Sequence, residues 1–230
     1  MKKILMIVTS HKEMENTDST TGLWIGEFTD PYYEFKDKNY EVTIASPKGG
    51  KPPIDPLSEL TENITPSNRR FQDDKAAQLK LKTTVKLSDV NVSNFDALFF
   101  PGGHGPMWDL ASNAESGNLI LDFLSNSKPV AAVCHGPAAL IKAAELKPGL
   151  LSGKKITGFS NAEETLAARS NNIPYKLEDR LKELGAEYNS GAIPYTSHTE
   201  EDGLLITGQN PLSAGPAAKA LINKLEISTD

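Results

Sequence analysis

The chain predicts an α/β sandwich, a mostly parallel sheet between two layers of helices with its reactive residues at the carboxyl ends of the strands. Three observations predict it. Residues 3–10, 22–38 and 40–47 read as strand, helix and strand joined closely, which is how a doubly wound parallel sheet begins. Residues 130–134 (Val-Ala-Ala-Val-Cys) form a short apolar run suited to a sheet interior. That run turns sharply at His135-Gly136-Pro137 into an alanine-rich helix, with proline where a first helical turn tolerates its missing N–H.

The remaining elements follow in order. Leu23, Trp24, Phe28, Tyr32 and Phe35 give the first helix an apolar face despite Pro31. Residues 48–82 break the rhythm with Gly49-Gly50, Pro52-Pro53, Pro56 and many charges, so they read as an insertion packed on the core, with a weak helical pattern over 73–81. Residues 95–103 read as a strand ending in a glycine turn, 115–126 as a helix leading into the strand before Cys134, and 154–159 as another strand. A short helix starts near Ala162, an amphipathic one spans 177–185 and closes on Gly185, a late strand covers 203–208 and a helix covers 213–225. With 230 residues, 38% of them hydrophobic, the whole of 1–230 is expected to be one domain carrying the insertion at about 48–82.

Charge and composition exclude several classes. A net charge of -6 argues against nucleic acid, because phosphate binding requires a basic face. One cysteine precludes an internal disulfide and fits a reducing, cytoplasmic setting. Ile4 to Val8 after Lys2-Lys3 is too short for a signal peptide, and no stretch is long and apolar enough to cross a bilayer. The four histidines are scattered without metal-ligand spacing, so neither metal nor cofactor is expected.

The chemistry points to Cys134. A cysteine at a strand-to-helix turn resembles the nucleophile elbow of serine hydrolases, and the positive end of the helix favours a thiolate. The ordinary alternative is a small buried hydrophobe. The small neighbours Ala131, Ala132 and Gly136 favour the elbow, since strand and helix must cross closely there. Such a low-pKa, partly exposed thiol is expected to oxidise readily to sulfenic or sulfinic acid. His135 follows directly as a candidate base, and the amides of Gly102-Gly103 and His135 are candidate oxyanion donors. Glu27 lies among core-facing residues, where a glutamate is ordinarily solvated, and Glu163-Glu164 begin a helix, where acids ordinarily complement the macrodipole. His198-Thr199-Glu200 has the spacing of a true glutamine amidotransferase but reads as a polar surface loop.

These residues resemble the ThiJ/PfpI superfamily, a class I glutamine amidotransferase-like group, and within it the heat-shock-protein-31-like branch that contains glutathione-independent glyoxalases (glyoxalase III). The likeness rests on Phe100-Pro-Gly-Gly-His-Gly-Pro-Met107, Ala132-Val-Cys-His-Gly-Pro-Ala138, Lys155-Ile-Thr-Gly-Phe-Ser160 and Leu205-Ile-Thr-Gly-Gln-Asn-Pro211. It implies a flavodoxin-like three-layer fold and a homodimer. It also implies that Cys134 is the nucleophile, His135 its partner, Glu27 a hydrogen-bond partner of the cysteine, and Glu164 (or Glu163) the acid orienting the histidine, with Gly103 and His135 as oxyanion donors. The implied reaction is hydro-lyase-type conversion of a small dicarbonyl, methylglyoxal, to lactate through a cysteine hemithioacetal and an enediolate. Related members are described as stress-response holdase chaperones or as protein deglycases, and a cysteine amidase or peptidase is the further alternative. Some relatives bind a metal through two histidines and a carboxylate, for which the sequence shows no clear equivalent.

Overall fold

A computed structural model describes residues 1–227. Its strands are β1 (Lys3–Ile7), β2 (Glu41–Ser46), β3 (Val85–Lys86), β4 (Ala97–Phe100), β5 (Val130–Val133), β6 (Lys155–Ile156), β7 (Glu187–Tyr188), β8 (Thr199–Asp202) and β9 (Leu205–Gly208). Its α-helices are α1 (Ile25–Asp37), α2 (Pro66–Asp73), α3 (Lys75–Lys82), α4 (Ala114–Ser125), α5 (Ala139–Leu146), α6 (Asn161–Leu166), α7 (Leu177–Glu183) and α8 (Ala214–Ile227).

Seven strands form one sheet in the order β3-β2-β1-β4-β5-β9-β8, parallel except for the β8–β9 pair at one edge. Side chains alternate across it. Leu5 and Ile7 enter one core with Leu119, Ile120 and Phe123 of α4 and Leu140 and Ile141 of α5. Ile4 and Met6 enter the other with Phe28, Tyr32 and Phe35 of α1 and Ala217 and Leu221 of α8. Period-two burial on both faces is what a central parallel strand requires, and the result is a flavodoxin-like α/β/α sandwich. Strand order reverses between β1 and β4, and open sheets place ligands at the carboxyl ends beside such a reversal.

Three readings change. The 154–159 strand shrinks to Lys155–Ile156 and pairs with β7 in a separate two-stranded ribbon; the chain then bends at Phe159, whose N–H donates to Cys134 O at 2.8 Å. Thr199 to Asp202, expected as a surface loop, is the antiparallel edge strand β8, whose acidic side chains suit an edge that discourages further pairing. The 48–82 segment is more helical than its pattern indicated. Thr65 caps α2 by accepting the Asn68 N–H, with Pro66 in the first turn, and Asp74 caps α3 through the Ala77 N–H. Among the described residues no helix is long and apolar enough to cross a membrane.

Candidate active site

Cys134 follows β5 with φ 58, the left-handed region that costs a non-glycine residue about 1–2 kcal/mol. The turn is held by Cys134 N–H donating to Gly208 O at 2.9 Å and by the Phe159 N–H bond to Cys134 O. Glycine is needed next to it: a Cβ on Gly136 would collide with Phe100 O, and one on Gly102 would lie 2.7 Å from Glu27 Oε2. The strained turn aims the thiol into a cavity of about 680 Å³ whose lining includes Gly103, His104, His135 and Arg169.

The sulfur lies 3.3 Å from Nδ1 of His135. On the other side of that ring, Nε2 lies 2.8 Å from Oε2 of Glu164. The second oxygen of Glu164 is 2.9 Å from Nε2 of His104, so one buried carboxylate serves two imidazoles. The Gly103 N–H points at the sulfur, and the His135 amide belongs to the same turn. All the residues expected at the site, Cys134, His135, Glu27, Glu164 and Gly103, are therefore brought together.

Tautomers follow from the far end of this chain. Arg169 Nη1 lies 3.2 Å from Nδ1 of His104 and 2.6 Å from Oδ2 of Asp55. A guanidinium can only donate, so Nδ1 of His104 accepts, and its Nε2 carries the proton donated to Glu164. Burial, then the neighbouring His135, lowers the His104 pKa to about 4, which keeps this ring neutral. Burial would raise Glu164, but hydrogen bonds from His104 and His135 outweigh it and hold the carboxylate well below its usual range. His135 thus donates through Nε2 to a fixed anion and presents Nδ1 to the thiol.

Glu27 is fully buried on α1, not solvated as its helical surroundings suggest. Its Oε2 accepts the Gly102 N–H at 2.8 Å, Oε1 has no further hydrogen-bond partner, and the carboxyl interacts with the Cys134 thiol. Burial raises its pKa to about 8, so at neutral pH it is a carboxylic acid with a proton to donate toward sulfur.

The thiol departs from expectation. Cys134 is 3% exposed, and burial, followed by the charge Glu27 carries once ionised, pushes its pKa well above the usual value against the Gly103 N–H. Desolvation outweighs the helix end, so the resting sulfur is a thiol, with Nδ1 of His135 within hydrogen-bonding distance of it.

Glu163 does different work from its neighbour. Its Oε2 accepts the Ser160 N–H and hydroxyl in a capping box, while Oε1 accepts the Tyr195 N–H at 2.8 Å and the Asn210 amide at 2.9 Å. His198, just before β8, and Glu200 within it pair at 3.2 Å and do not line the cavity. His104, Arg169 and Asp55 were not singled out by sequence reasoning; only the glycine turn around His104 marked that position.

His104, His135 and Glu164 also correct the reading that no residues converge as metal ligands, since their donor atoms lie within 4.8 Å of one another. Every one of these donors is already committed. Both Nε2 protons point at Glu164, and the Arg169 guanidinium abuts His104. A cation would have to displace two protons beside a fixed positive charge, so the set fits a hydrogen-bond relay and not a metal, and no step is derived through one.

Known proteins resemble this chain along nearly its whole length. Residues 2–224 match the model of the DJ-1/PfpI family. The glutathione-independent glyoxalase HSP31 of Saccharomyces cerevisiae is 30% identical over 98% of this chain and 98% of its own. Glyoxalase 3 of Candida albicans is 29% identical, covering 99% of this chain and all of its own length, 100%. Among solved structures, glyoxalase III of Candida albicans superposes with a TM-score of 0.85 at 27% identity over 97% of both chains. The Rapid Encystment Protein 24 KDa of Francisella tularensis superposes with a TM-score of 0.92 at 41% identity, over 98% of this chain and 99% of that one. The elbow, the sheet and these likenesses together make the chain a member of the DJ-1/PfpI family.

Proposed function

We propose that the protein is a glutathione-independent glyoxalase, isomerising and hydrating a 2-oxoaldehyde such as methylglyoxal to the 2-hydroxy acid. The observation that carries this reading is the 3.3 Å contact between Cys134 Sγ and His135 Nδ1, backed by Glu164 on one side and protonated Glu27 on the other. Relatives of similar length and about 30% identity bear the glyoxalase name, which supports it.

The steps follow from proton positions. As Cys134 attacks the aldehyde carbon, its proton moves to Nδ1 of His135, and Glu164 stabilises the imidazolium. A C–S bond forms, and the aldehyde oxygen, held near the Gly103 and His135 amides, takes that proton from His135 to give a hemithioacetal and a neutral imidazole. His135, neutral again, removes the hydrogen from the former aldehyde carbon, leaving an enediolate. Protonation at the adjacent carbon gives a 2-hydroxy thioester: one carbon is oxidised as its neighbour is reduced, without an external electron acceptor. Water cleaves the C–S bond, giving lactate and the free thiol. The test is D- plus L-lactate formed from methylglyoxal without glutathione by wild type and by Cys134→Ala. Turnover only by wild type supports the reading, and equal turnover by both refutes it.

A further inference from the structure

Methylglyoxal leaves most of this cavity empty. A space of about 680 Å³ is the size that holds a drug-sized ligand, whereas a three-carbon dicarbonyl reaching the sulfur contacts only the polar end formed by Gly103, His104 and His135. Most of the remaining wall is apolar, with Trp24, Leu57, Leu60, Phe159, Tyr195 and Leu212 lining it. Leu57, Leu60 and Leu212 are 41%, 43% and 62% exposed, an arrangement that leaves apolar surface in water unless something covers it.

Charge narrows what can cover it. Arg169 is the one lysine or arginine among the described residues lining the cavity, and it is tied to Asp55 and His104. Asp30 and Glu62 also line the cavity. A carboxylate or phosphate on the substrate would meet these acids with no spare cation to answer it.

We infer that the preferred substrates are 2-oxoaldehydes bearing a bulky, uncharged apolar substituent, aryl or branched alkyl, which lies against the leucine-lined wall while the dicarbonyl reaches Cys134. This rests on the proposed reaction and narrows it to a substrate class. With phenylglyoxal the same bonds form and break: sulfur adds to the aldehyde carbon, the hydrogen moves to the neighbouring carbon, and water releases mandelate.

Initial rates with methylglyoxal, phenylglyoxal and 4-carboxyphenylglyoxal test it. Wild type is expected to show kcat/KM for phenylglyoxal about tenfold or more above methylglyoxal, the scale on which apolar pockets discriminate, and a clear loss when the aryl ring carries a carboxylate. In the paired variant Leu57→Ser, Leu212→Ser the phenylglyoxal-to-methylglyoxal ratio is expected to fall several-fold. Because the readout is a ratio within one preparation, poor folding of the variant does not imitate the effect. A wild-type ratio of one or less, equal use of the carboxylated ring, or a ratio unmoved by the two substitutions overturns the substrate class while leaving the glyoxalase reaction standing. No turnover of any of the three overturns both.

Discussion

Arg169 donates an N–H to Nδ1 of His104 across 3.2 Å, and that bond fixes which nitrogen of every downstream group carries a proton. Because the guanidinium cannot accept, His104 must donate to Glu164, and Glu164 must remain an anion able to receive His135. The orientation of the imidazole beside Cys134 is thereby set from the opposite wall of the cavity.

Arg169→Met should break this chain and strand Asp55, which is fully buried, with Thr21 and the Leu57 N–H but no cation. Removing one partner of a buried ion pair costs about 3–5 kcal/mol. Denaturant unfolding should show a loss of that order, and Arg169→Met combined with Asp55→Asn should recover part of it. Nitrogen NMR of His104 should show the Nε2–H tautomer in wild type and its loss in the single variant.

The adjacent acids should separate cleanly. Glu164→Gln leaves the imidazolium of His135 without its anion, and kcat/KM should drop about 10²-fold or more. Glu163→Gln weakens the capping box and the ties to Tyr195 and Asn210, so stability should fall by about 1–3 kcal/mol while turnover stays within a fewfold of wild type. Steady-state rates and thermal melts on both variants check this.

Glu27 sets the pH behaviour. Its folded pKa of about 8 lies above the ordinary 4.5, so between those values the folded state holds a proton that the unfolded chain has released. Its contribution therefore makes stability fall as pH rises through that window. Glu164 acts oppositely: with its folded pKa depressed, it stabilises above the ordinary carboxylate range and loses that contribution as pH falls. Glu27→Gln should flatten the stability decline between about pH 5 and 8. It should also remove the fall in turnover expected above about pH 8, where an ionised Glu27 would oppose formation of the thiolate.

The buried thiol should alkylate slowly at neutral pH. With its pKa pushed up by burial and Glu27, Cys134 should react with iodoacetamide more slowly at pH 7 than an unhindered small thiol, and faster as pH rises. Mass spectrometry of the modified protein over a pH series measures this directly.

What the sequence made legible was local. The strand ending at Val133, the sharp turn at Cys134 and the helix beyond Pro137 are written in one contiguous stretch, so the elbow and its candidate nucleophile could be read together. The choice between Glu163 and Glu164 was readable in principle, since Ser160-x-x-Glu163 is a capping-box pattern that assigns Glu163 to the helix start. Thr65-Pro66 likewise announces α2 inside a segment whose composition suggested only weak helix.

The rest depends on contacts far apart in the chain. Arg169 meets Asp55 across 114 residues and Glu164 meets His104 across 60, pairings that only the sheet order creates. Burial of the thiol was equally invisible, because the helix-end argument that favours a thiolate takes no account of the desolvation that the fold imposes on Cys134.

The most direct test of a sulfur activated by its neighbouring imidazole is lactate released from methylglyoxal, without glutathione, by wild type, Cys134→Ala and His135→Ala measured side by side. Lactate from wild type and none above background from either variant is the expected result. Undiminished lactate from Cys134→Ala, or from His135→Ala, would contradict it.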